Sequence, residues 1–104
     1  MRKTYNKLVR DRIPEIIEAS GAKCKTEILS DEKYIEMLDA KLDEEVAEYH
    51  KDKSIEELAD LLEVIYAIAV AREYSVDDLE IIRIKKAFER GAFNKKILLV
   101  ETIE

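Results

Sequence analysis

Four carboxylates are spaced so that helix geometry would gather them. Glu45 and Glu48 stand three apart in Glu44-Glu45-Val46-Ala47-Glu48, and Glu57 and Asp60 stand three apart in Glu57-Leu58-Ala59-Asp60. Residues three or four apart are neighbours on a helix surface. At about 100° per residue, Leu42, Glu45 and Tyr49 fall within ~40° of Leu38, with Glu48 at the border of that face. Glu57 and Asp60 likewise share a stripe with Val64, Ile68 and Ala71. The acids interrupt apolar faces that would otherwise pack. Two like charges ~5 Å apart repel by roughly 0.8 kcal/mol in bulk water and about 3 kcal/mol at an effective dielectric near 20, so an apolar setting favours a divalent cation between them. Oxygen-only ligands select a hard ion, Mg²⁺ or alternatively Mn²⁺. The plainer reading of any single Glu-x-x-Glu pair is a solvated helix face, and Glu57 has a second plain reading as a helix-capping residue.

The elements that must position these acids are legible in the caps. A helix is expected from about Asp31 to Tyr49, followed by a connector at His50–Lys53. Ser54-Ile55-Glu56-Glu57 has the form of a capping box and opens a second helix to about Arg72. A short connection predicts an antiparallel hairpin, which sets Glu45 and Glu48 beside Glu57 and Asp60. Ser75-Val76-Asp77-Asp78 opens a third long helix that should stop at Gly91. Upstream, Asp11 is a candidate N-cap for a short helix bounded by Pro14 and Gly21. Cys24, Thr26 and Ile28 alternate with Lys23, Lys25 and Glu27, and Ile97-Leu98-Leu99-Val100 is a short aliphatic run; both read as strands that could pair. The expectation is a mainly α helical bundle with an antiparallel central hairpin, plus a small two-stranded β element if those segments meet.

Positive charge for an anionic ligand is available in three places. Arg83, Lys86 and Arg90 form a stripe on the third long helix, opposite Ile81, Ile84 and Phe88. Lys95 and Lys96 follow Gly91, and Lys7, Arg10 and Arg12 cluster near the beginning of the sequence. Any of these could hold phosphate oxygens, and ordinary pairing with surplus Glu explains each equally well.

Composition bounds the function classes. The chain has 104 residues, one core's worth, and residues 1–104 are read as a single domain. With hydrophobic residues at 47%, charged residues at 40%, two glycines and one proline, low-complexity and collagen-like readings fail. A net charge of −6 argues against coating a nucleic-acid polymer, which needs a basic surface. The single cysteine, Cys24, excludes an intrachain disulfide, and no apolar run reaches the roughly 20 residues of a membrane helix, so a cytoplasmic protein with no membrane partner is expected. A P-loop is absent. His50, the one histidine, is explained by its place near a helix C-terminus.

The acidic pattern resembles the E-E-x-x-E followed by E-x-x-D signature of the MazG-like all-α nucleotide pyrophosphohydrolases. The segments Tyr5-Asn6-Lys7-Leu8-Val9-Arg10-Asp11-Arg12-Ile13-Pro14 and Lys86-Ala87-Phe88-Glu89-Arg90-Gly91-Ala92-Phe93 look like flanking segments of the phosphoribosyl-ATP pyrophosphohydrolase-like branch. The gap between Glu48 and Glu57 is shorter than in many MazG proteins. The resemblance implies Glu45, Glu48, Glu57 and Asp60 as Mg²⁺ ligands, with Glu44 beside them orienting water. It implies hydrolysis of a nucleoside triphosphate to the monophosphate and pyrophosphate, with Glu44, Glu45 and Glu48 catalytic and Arg83, Lys86, Arg90 or Lys95 steadying phosphates. A homodimer or homotetramer is implied too, in keeping with the nearly all-round apolar helix at 58–71. Two other readings stand beside it: a phosphoribosyl-ATP pyrophosphohydrolase, and a non-catalytic helical oligomerisation module.

Overall fold

Serine hydroxyls start each of the three long helices. In the computed structural model, which describes all 104 residues, Ser30 accepts the Lys33 N–H at 3.2 Å, Ser54 the Glu57 N–H at 3.3 Å and Ser75 the Asp78 N–H at 3.0 Å. The elements are α1 (Ile13–Ala19), α2 (Asp31–Asp52), α3 (Ile55–Ala71) and α4 (Val76–Arg90). Only the α4 cap is reciprocal, with the Asp78 carboxylate accepting the Ser75 N–H. At Ser54 the side chain of Glu57 makes no return bond, which leaves its carboxylate for other work.

The architecture is all-helical, built around the α2–α3 pair. Lys53 turns the chain between them in the left-handed region (φ 56°), its N–H reaching the Tyr49 carbonyl at 2.7 Å. α2 therefore runs one turn past its expected end and takes His50, Lys51 and Asp52 into the helix. Asp11 does not cap α1; Arg12 holds that position without a side-chain bond, and Pro14 supplies the preset φ of the first turn. Gly91 ends α4 as expected, at φ 86°.

The two-stranded β element does not form. Residues 23–29 and 97–100 lie outside any helix or strand, and none of their backbone groups bonds to another part of the chain. Strand-like composition describes a side-chain surface that suits a sheet; without a neighbour to complete the ladder it makes no strand.

Packing is concentrated at the hairpin. Leu38 on α2 and Val64 on α3 are the buried apolar residues, and Glu45 is the one buried charged residue. α3 was expected to be covered on most sides, but Leu58, Leu62 and Val70 are exposed in the single chain. The apolar face of α4 is also open, with Ile81, Ile84 and Phe88 all in solvent. The chain is drawn out to 63 × 31 × 23 Å with a radius of gyration of 18.3 Å, against roughly 13 Å for a compact chain of this length. No helix is long and apolar enough to cross a membrane.

Candidate metal centre

The hairpin gathers the acids at its closed end. One carboxylate oxygen from each of Glu45, Glu57 and Asp60 lies within 4.8 Å of the others, and so does one from each of Glu48, Asp52 and Glu57. The two groups share Glu57. All four of the expected acids are thus brought together, joined by Asp52. Sequence reasoning missed Asp52 because α2 was ended at Tyr49; it stands one turn beyond Glu48, and a longer helix would have placed it on the same face.

Glu45 carries the electrostatic tension of the site. Its relative exposure is 8%, and α2 fixes it beside Leu38 and Leu42 on the face that meets α3. A buried carboxylate needs a compensating partner. The partner present is Lys41, one turn earlier, at 3.4 Å from Glu45 and 3.3 Å from Glu44. Lys41 was not singled out from the sequence. Its signal was the helical spacing of three and four to Glu44 and Glu45.

Two further cations come from the segment before α1. Lys7 reaches Glu44 at 3.1 Å, and Arg10 reaches Asp60 at 2.7 Å and Glu63 at 3.9 Å. Of the three basic clusters, the one near the beginning of the sequence is therefore the one that pairs with the acids. Arg83 instead pairs with Glu80 on its own helix. Lys86 and Arg90 are exposed on α4, and Arg90 and Lys95 line a small depression with Gly91, Ala92, Asn94 and Ile97. None of Arg83, Lys86, Arg90 or Lys95 forms an ion pair with the acidic cluster.

Titration behaviour divides the cluster. Glu57 is pushed above the ordinary carboxyl range by loss of solvation, then by the charges of Asp52, Asp60, Glu48 and Glu45. Glu44 is held below the ordinary range: desolvation works against its charge, but hydrogen bonds from Lys7 and Lys41 outweigh it. The same contacts raise Lys7, chiefly through its hydrogen bond to Glu44, and Arg10 is raised chiefly by its hydrogen bond to Asp60.

The donor set fits a hard divalent cation. All five groups are carboxylates, no imidazole or thiolate intrudes, and Glu57 belongs to both triads, a position suited to a bridging ligand. His50 instead sits beside Tyr49 and Lys53, and the half-buried Cys24 thiol donates to the Pro14 carbonyl at 3.8 Å.

The chain is similar to a protein of Mycolicibacterium smegmatis described as uncharacterized, 66% identical over 41 residues that make up 39% of this chain and 42% of that protein. The matched stretch thus spans about two-fifths of the relative's length. No family model matches the chain, and no solved structure matches it.

Proposed function

We propose that this protein is a Mg²⁺-dependent nucleoside triphosphate pyrophosphohydrolase, converting NTP and water to NMP and pyrophosphate. The observation that supports it most is the buried Glu45 set within 4.8 Å of Glu57 and Asp60 on a helix hairpin. Clustering acids where solvent is scarce is costly for stability, and a metal site gives that cost a purpose.

Glu45, Glu48, Glu57 and Asp60 would hold the ion, with Asp52 as a further ligand. When bound, Mg²⁺ supplies Lewis acidity, neutralising phosphate charge and making water a stronger acid. Glu44 stays ionised beside Lys7 and Lys41, and its lowered proton affinity suits it to orient the attacking water rather than to keep the proton. Lys7 and Arg10 already lie across the cluster, where they can exchange a carboxylate for a phosphate oxygen. Arg83, Lys86, Arg90 and Lys95 remain candidates for the same task from α4 and beyond. Cytoplasmic placement, a free nucleotide as ligand and phosphoribosyl-ATP as an alternative substrate belong to the same proposal.

The exposed faces of α3 and α4 favour a second reading, a helical self-association module whose acids serve only structure. One assay separates the two. Incubating the folded protein with Mg²⁺ and a panel of ordinary and damaged nucleotides, with phosphoribosyl-ATP included, should release pyrophosphate from at least one. Absence of release from all of them overturns the enzymatic reading.

A further inference from the structure

We infer that the C-terminal arm, residues 97–103, pairs as a β-strand with residues 23–29 of a second copy of this chain. The first observation is area. A compact monomer of 12.1 kDa exposes about 6,000 Å² by the usual scaling of surface with mass. This chain exposes 9850 Å². The excess, about 3,800 Å² per chain, is more than the roughly 1,000–2,500 Å² that each partner of an obligate interface buries.

The second observation is where unsatisfied groups lie. Ile97, Leu98, Leu99, Val100 and Ile103 are among the most exposed apolar residues, and the backbone of the arm bonds to nothing else in the chain. Residues 23–29 leave their backbone unpaired in the same way. A bare aliphatic strand with open hydrogen-bonding edges is an adhesive surface that folded proteins cover.

The third observation is complementarity of register. An antiparallel alignment that sets Thr102 opposite Cys24 also sets Val100 opposite Thr26 and Leu98 opposite Ile28 on one face. On the other face it sets Glu101 opposite Lys25 and Ile97 opposite Leu29, with Leu99 opposite Glu27 between them and Ile103 opposite Lys23 at the end. Beyond the ladder, Lys95 comes opposite Asp31. Apolar and opposite-charge cross-strand pairs each favour a register, and a slip of one residue in either direction would separate Glu101 from Lys25. Because each copy carries both segments, the exchange is reciprocal and gives a closed two-fold pair. The inference is independent of the enzymatic reading, since neither segment contributes a carboxylate to the cluster.

The test uses the full chain, whose only cysteine is Cys24. Light scattering of the unsubstituted protein should give a mass that is a multiple of 12.1 kDa. Mild oxidation of Thr102→Cys with oxidised glutathione should then produce a reducible species of doubled mass, with peptides containing positions 24 and 102 joined between copies. Val100→Asp, at a residue 82% exposed in the single chain, should weaken self-association at least about tenfold, the equivalent of 1.4 kcal/mol. A monomeric unsubstituted chain overturns the inference. So does a link formed within one chain, which would mean the arm folds back on itself. An oligomer in which Thr102→Cys gives no link also overturns it, since self-association would then run through α3 and α4 or another face.

Discussion

The closed end of the α2–α3 hairpin and the stretch from α4 to the C-terminal arm are opposites in how they treat their unfavourable groups. At the hairpin, charge that belongs in water is held in a packed interface, with Glu45 buried on the same helix as Leu38. In α4 and the arm, carbon that belongs in a core is left in water, with Phe88 at 90% exposure and Phe93 at 97%. Each is an incomplete structure. The first has more acids than Lys41, Lys7 and Arg10 can pair with, and the second has apolar residues that nothing within the chain covers; the cation and the second copy proposed above are different completions for the two.

The contrast is open to attack in several ways, the most damaging first. Glu45→Gln should reduce Mg²⁺-dependent pyrophosphate release by more than about 100-fold, because even partners behind the ligands of a metal site are worth 10–100-fold. Glu48→Gln should do the same while circular dichroism shows the helices intact. Retained activity in both would mean that the cluster is only structural.

Leu38→Ala should cost about 2–5 kcal/mol in unfolding free energy, as cavities in packed interfaces do. Phe88→Ala gives the sharper reading. Measured by denaturant unfolding, a change within about 0.5 kcal/mol means that α4 stays in solvent. A loss of several kcal/mol that depends on protein concentration means that another copy covers it.

Adding Mg²⁺ should raise the unfolding free energy by about 2.7 kcal/mol when its concentration is 100 times the dissociation constant. Arg10→Ala and Arg83→Ala then separate the basic clusters. If Arg10 grips phosphate, its removal raises KM and lowers kcat/KM, whereas loss of the Arg83–Glu80 pair leaves both near the unsubstituted values.

The smallest effect is the pH dependence of the metal-free protein. Glu57 has a folded proton affinity above its unfolded one, so its contribution to stability is fullest below the unfolded pKa and is lost as pH rises through the folded value. Glu44 has the opposite sign, its contribution present at neutral pH and lost as pH falls through its lowered value. Glu57→Gln should therefore raise the melting temperature at pH 7 slightly and bring little gain at pH 4. A variant that melts lower than the unsubstituted protein at pH 7 would show that Glu57 is already paired.

Much of this was legible in local patterns. The serine caps at Ser54 and Ser75 and the stop at Gly91 marked where α3 begins and where α4 begins and ends, because capping bonds depend on residues within one turn. The spacing of Glu45, Glu48, Glu57 and Asp60 was enough to bring them together once a hairpin was assumed. Asp52 was lost to a helix end misplaced by one turn, and Lys41 was hidden among ordinary surface lysines. The strand-like segments at 23–29 and 97–100 misled because alternation reports a preference for a sheet surface and says nothing of whether a partner strand lies within reach.

By itself the sequence determined the helices, their caps and the faces on which acids interrupt apolar stripes, all consequences of interactions between residues a few positions apart. Only the tertiary structure decided which cations meet the acids, since Lys7 and Arg10 act across 37 and 50 residues through the path of the chain over the hairpin. It also decided that Glu57 gains proton affinity while Glu44 loses it. Solvation and charge at a site are sums over neighbours, and neighbours distant in sequence are set by packing alone.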